Sequence, residues 1–158
     1  MLKQFTEWAK AAGWSIKTAR QSIDALPEEI TDRYVIPKEY KQFLSQVAGC
    51  INNTETKWFL CLADYQPQSE DSFRWNEFEH ISLEAAESDE EWQHVITDFW
   101  NAHMPFIMSV DNGYSYYAFN VQDGSVVIGD EPEFEETRTV AKSFNEFLAK
   151  VISKDIVL

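Results

Sequence analysis

The chain has 158 residues, enough for one domain that buries roughly 70% of the surface its unfolded form exposes. Aromatic residues make up 15% of it and Gly and Pro number only five each, which excludes disorder and low complexity. A formal charge of −14 sets net repulsion against phosphates and so excludes nucleic acid as an expected partner, while it would attract a basic protein at a rate that salt lowers.

Leu2, Phe5, Trp8, Ala9 and Ala12 recur at three- and four-residue spacing, and Gly13 follows as a stop, predicting a short opening helix. The same stretch, MLKQFTEWAKAAGW, is amphipathic and lacks the continuous apolar core and cleavage site of a secretory signal, so export is not expected. No stretch approaches the roughly 20 apolar residues that cross a bilayer, and lipidation signatures are absent. No membrane partner is expected, and the chain is read as cytoplasmic. Residues 14–36 are less periodic and hold two proline-led openings, at Pro27 and Pro37, of which only the second is expected to lead into a clear helix. That helix spans roughly 37–48: Pro37 suits a first helical position, Tyr40, Phe43, Leu44 and Val47 form one stripe, and Gly49 closes it. Asn52, Asn53 and Thr54 read as a turn.

The apolar run 58–62 reads as the first sheet strand. Residues 63–87, with Pro67, Phe73, Trp75 and Phe78, read as a long connection holding a helical turn. Ser88 and Glu91 have the spacing of a capping box and predict a helix over 89–101, with Trp92, Val95, Ile96, Phe99 and Trp100 as its stripe. After Pro105, the segments 106–110, 114–121 and 126–128 are strand-like and separated by Asp111-Asn112-Gly113 and Asp123-Gly124, an antiparallel meander. Ser143 and Glu146 form a second capping box, and Phe144, Phe147, Leu148, Val151 and Ile152 give the buried face of a closing helix. With no repeat, no linker and no βαβ alternation, the fold class is α+β: a single domain with an antiparallel meander flanked by helices.

Chemistry is sparse. Cys50 and Cys61 have no CxxC spacing and read as buried free thiols; His80, His94 and His103 are dispersed, so no metal and no cofactor are expected. Nucleophile elbows and phosphate-cradling loops are absent, and no catalytic residue is assigned. The 27 acidic residues leave a carboxylate-pair hydrolase as the one enzymatic alternative to a non-enzyme. Two acidic clusters stand out. Glu84, Glu87, Asp89, Glu90 and Glu91 read as solvated surface, partly at a helix start where the macrodipole favours anions. Asp130, Glu131, Glu133, Glu135 and Glu136 surround Pro132 and Phe134, and read equally as a plain loop or as a contact surface presenting negative charge beside one apolar side chain. With Trp75 as an exposed-aromatic candidate, Asp130, Glu131, Glu133, Phe134, Glu135 and Glu136 are the candidate partner-binding residues. Tyr114 and Tyr116 fall on one strand face and Tyr117 on the other, and the core is the favoured place for each.

Three segments in order, IPKEYKQFLSQVAG at 36–49, FIMSVDNGYSYYAFNVQDGSVV at 106–127 and SFNEFLAKVI at 143–152, resemble the SUKH superfamily, the Smi/Knr-like proteins. The pattern departs where Val47-Ala48-Gly49-Cys50 replaces an asparagine with paired glycines, and where Asp111-Asn112-Gly113 replaces a richer glycine run. The resemblance implies an α+β fold and, as for most bacterial members, an immunity protein that neutralises a cognate toxin, often a nuclease, from a polymorphic toxin system. Yeast relatives imply instead a non-enzymatic regulatory adaptor or scaffold in cell-wall synthesis. The shared residues are apolar or turn-forming, so the resemblance carries over fold determinants and no active site. On this reading the partner is a cognate basic protein toxin met through an acidic surface, and the chain is a monomer or a weak homodimer.

Overall fold

Strands enter the sheet in chain order. In the computed structural model, which describes residues 1–67 and 72–158, seven strands form one antiparallel meander. They are β1 (Ser15–Thr18), β2 (Val47–Ile51), β3 (Lys57–Phe59), β4 (His103–Ser109), β5 (Ser115–Asn120), β6 (Val126–Asp130) and β7 (Arg138–Ala141). Helix α1 (Leu2–Ala11) precedes them, α2 (Glu28–Arg33) and α3 (Lys38–Leu44) join β1 to β2, α4 (Glu77–Ala85) and α5 (Glu90–Ala102) join β3 to β4, and α6 (Phe144–Ser153) closes the chain. This is the expected single α+β domain.

Helices cover both faces of the sheet. Alternation along β5 sends Tyr117 and Phe119 one way and Tyr116 the other. Tyr117 meets Phe147 of α6 at 5.0 Å between ring centres, and Phe119 meets Tyr40 of α3 at 5.0 Å. On the opposite face Tyr116 meets Phe78 of α4 at 5.8 Å and Trp100 of α5 at 4.9 Å. Phe5 of α1 joins the first layer through Phe43 and Phe59. Burial on both sides explains why β4, HMPFIMS, is an almost unbroken apolar run. Each such Phe contributes about 1.5–3 kcal/mol by leaving water.

The middle of the sheet tolerates a proline. β4 begins at His103, earlier than the segment 106–110 predicts, and takes Pro105 with it beside a register shift between Pro105 and Ile107. A bulge is where a strand can lose an N–H donor at least cost. The proline's own carbonyl and the next are used: Pro105 O accepts from Tyr65 Oη at 2.8 Å and Phe106 O from Leu60 N at 2.8 Å. Tyr40 Oη donates to Leu60 O at 2.7 Å and lies 2.9 Å from the Tyr65 hydroxyl.

Several expectations shift. Both prolines open helices, because Pro27 also precedes a helical turn; α2 is short but buries Ile30. The helix expected over 37–48 stops at Leu44, and Val47 and Gly49 belong to β2, where Gly49 pairs with Lys17. There the β-branched Val47 is buried by strand pairing, which overrides its helical spacing. The apolar run 58–62 supplies the third strand, not the first, and only as far as Phe59. Within the connection 63–87, part of which (68–71) lies outside the described residues, the expected turn is the nine-residue α4. Asp89, not Ser88, caps α5, its Oδ1 accepting from Trp92 N at 3.0 Å; Asp and Ser are equally good caps, so adjacent copies leave the start open by one residue. Ser143 caps α6 as expected, its Oγ accepting from Glu146 N at 3.2 Å, while the return half of the capping box shifts by one residue: Glu146 Oε2 accepts from Lys142 N at 2.9 Å, not from Ser143 N. Lys150 of α6 pairs with Glu146 at 2.9 Å and donates to Val140 O at 2.8 Å; Val140 is the residue of β7 that the pairing with β6 skips.

Candidate functional site

The negative charge is segregated. No Lys or Arg occurs between Arg74 and Arg138, and residues 75–137 hold fifteen of the 27 acidic residues, so the rest of the chain is close to neutral. This window builds α4 and α5, on one face of the sheet, together with β4 to β6. Among the described residues, the ion pairs are Arg33–Glu79, Arg74–Glu77 and Lys150–Glu146, and none involves the acidic clusters at 84–91 and 130–136.

The second cluster lines a groove against α4 and α5. Helix α4 turns into α5 through Glu87, whose φ of 47° lies in the left-handed region and whose carbonyl accepts from Gln93 Nε2. The reversal places Ala85 and Trp92 on one wall, and the loop after β6 forms the other. The hollow between them has a volume of about 260 Å³ and is lined by Ile81, Ala85, Trp92, Pro132, Glu133 and Glu136, among others.

The loop wall is held from inside. Phe134 stacks on Phe78 at 4.7 Å and 15°, its carbonyl accepts from the Tyr116 hydroxyl, and Glu135 Oε1 accepts from Trp100 Nε1 at 2.8 Å. Tyr116 reaches Phe134 by lying across Gly129 of β6, where a Cβ would come within 2.6 Å of its oxygen. Only glycine permits that approach. Anchored by Phe134 and Glu135, the loop turns Glu131, Pro132, Glu133 and Glu136 outward.

Two candidate contact residues need correcting. Phe134, expected as the exposed apolar side chain of the acidic loop, is 3% exposed and serves as the loop's anchor. Trp75, expected as an exposed aromatic, is 7% exposed; it packs edge-on to Tyr34 at 6.1 Å and beneath the Arg33 guanidinium at 5.9 Å, away from the groove. An aromatic beside a buried ion pair gains more from packing than from water. Asp130, Glu131, Glu133 and Glu136 are exposed, and Glu135 is half-buried. Sequence reasoning missed Trp92, placed on the buried stripe of α5 but 47% exposed. At about 100° per residue the five stripe positions fan over about 140°, in the order Trp100, Ile96, Trp92, Phe99, Val95. Trp100 and Ile96 are buried, while Val95 at the far edge is 58% exposed. Width accounts for Val95 alone: Trp92 lies mid-fan, in the first turn of α5, and the spacing carried no signal of its exposure.

Elsewhere the polar interior is matched. Arg33 forks onto Glu79 at 2.7 and 2.8 Å and donates to Asn101 Oδ1 at 2.9 Å, tying α2 to α4 and α5. Burial pushes the Cys50 thiol up to about 12 and the Cys61 thiol above its ordinary range, so both are protonated and unreactive at neutral pH. Among the described residues no buried side-chain nitrogen or oxygen lacks a partner, and no three His, Cys, Asp or Glu side chains group as metal ligands. No helix of the described residues is long and apolar enough to cross a membrane.

A seven-stranded meander clasped between two helical layers, one of them anionic and grooved, defines an α+β domain of a recognisable kind. The SMI1 / KNR4 family (SUKH-1) profile matches residues 18–150, and the chain belongs to that family. The match begins after α1 and runs through both acidic clusters and most of α6. No curated protein and no solved structure matches the chain.

Proposed function

We propose that this chain is an immunity-type protein: it binds a cognate basic toxin in the cytoplasm and neutralises it, without catalysis of its own. The observation that carries this reading is the concentration of the net charge in residues 75–137, the segment that builds α4, α5 and the 130–136 loop. A fold does not require such segregation; a partner of opposite sign makes use of it. Family membership supports the same role, since toxin neutralisation is what the resemblance implies for most bacterial members. A nuclease toxin suits the charge particularly well, because a groove evolved for phosphates is cationic and an anionic layer can occupy it.

Co-expression with toxin domains encoded beside the gene tests the proposal. Rescue of growth together with a stable complex is the expected result; toxin domains that kill regardless would sink it. Association of the pair is expected to slow markedly between low and physiological salt, measured by stopped-flow mixing. A rate indifferent to salt would remove the electrostatic part.

A further inference from the structure

Trp92 is a large apolar side chain left 47% exposed at the lip of a groove whose other wall is carboxylate. Its occupant is constrained by what those walls can tolerate. An aliphatic side chain would cover Trp92 but strip water from Glu133 and Glu136 without pairing them, which is costly. A second copy of this chain would bring the same carboxylates to the contact, since a two-fold interface faces each patch with itself. A lysine meets the charge, yet its compact ammonium is strongly hydrated and loses that water on entering. A guanidinium is planar and weakly hydrated; it stacks on an indole and forks onto carboxylates at once.

We propose that the groove between α4, α5 and the 131–136 loop receives an arginine side chain of the protein partner, its guanidinium flat against Trp92 and paired with Glu133 and Glu136. This rests on the reading of a basic protein partner and adds where that partner is gripped and by which residue type. The loop wall is already fixed by Phe134 on Phe78 and by Glu135 on Trp100, so the carboxylates are presented with little further ordering on binding.

The test titrates the full chain with hexa-arginine and with hexa-lysine peptides at low salt, following amide shifts of Trp92, Glu131 and residues 133–136 by NMR. Hexa-arginine is expected to bind about fivefold more tightly than hexa-lysine. Trp92→Ala, and separately Glu133→Gln with Glu136→Gln, should abolish that preference, whereas Trp92→Phe, which keeps a ring, should retain most of it. Equal affinities for the two peptides, or an arginine preference untouched by Trp92→Ala, overturn the proposal. Toxin rescue separates the two readings. A toxin neutralised as well by the Trp92→Ala chain as by the wild type removes the arginine grip and leaves the immunity reading intact. A wild type that keeps its arginine preference but protects against no toxin removes the immunity reading and leaves the grip.

Discussion

Helices α1, α3 and α6 carry five lysines and three glutamates, whereas α4 and α5 carry six acidic residues and no lysine or arginine, although both sets lay aromatic stripes on the same sheet. The inward faces are interchangeable in kind: Phe144 and Phe147 serve one layer as Phe78 and Trp100 serve the other. The outward faces are not. Apolar spacing thus accounts for where a helix lies, and leaves its solvent face to be set by something other than folding. Part of the acidic surplus is structural, since Asp89 caps α5 and Glu90 and Glu91 sit in its first turn, where each anion contributes about 0.3–1 kcal/mol. The outward carboxylates of the 131–136 loop have no such role.

Four substitutions would sharpen or break this contrast. The largest effect is expected from Phe106→Ala, whose ring meets Tyr40, Phe119, Phe144 and Phe147; the loss should be about 3–5 kcal/mol by urea denaturation, lowering Tm by roughly 10 °C. Toxin affinity of the folded fraction should hold, because this core belongs to neither outward face. Next comes Glu79→Gln, which strands the half-buried Arg33 and should cost about 3 kcal/mol. Its hydrogen-exchange signature should fall on α4 and α5 and spare α1 and α6; an even loss of protection would show that the layers are not separable. Gly129→Ala should cost about 1–3 kcal/mol by driving a methyl into Tyr116, with faster amide exchange in the 131–136 loop as the local sign. Smallest in stability, within about 0.5 kcal/mol, is Glu133→Lys with Glu136→Lys. That pair should nevertheless slow toxin association at least about tenfold at low salt. If Glu7→Lys on α1 slows it equally, the contrast between the layers fails.

The fold was largely legible because its signals are local. Gly13, the Asn112-Gly113 turn with φ of 53° and 107°, and the Ser143 cap each act within a few residues, and all lie where the spacing placed them. What escaped depended on distant partners. Val47 and Gly49 left the helix because β1 offered a ladder, Pro105 entered a strand because Tyr65 and Leu60 served its neighbouring carbonyls, and β7 is four residues with a bulge. The candidate site was half legible. Its charge could be counted along the chain, but Phe134 and Trp75 were turned inward by Phe78 and Arg33, and Trp92, mid-stripe in the first turn of α5, is exposed in a way that spacing does not encode.

The lysine that reaches back from α6 has a further effect at the sheet's rim. With a bulge at Val140 and an ammonium already on its carbonyl, the final strand offers an incoming chain a bent and partly occupied row of main-chain groups. Strand-by-strand extension is blunted there, so crowded copies are discouraged from zipping into fibrils from that end, and encounters are left to side chains.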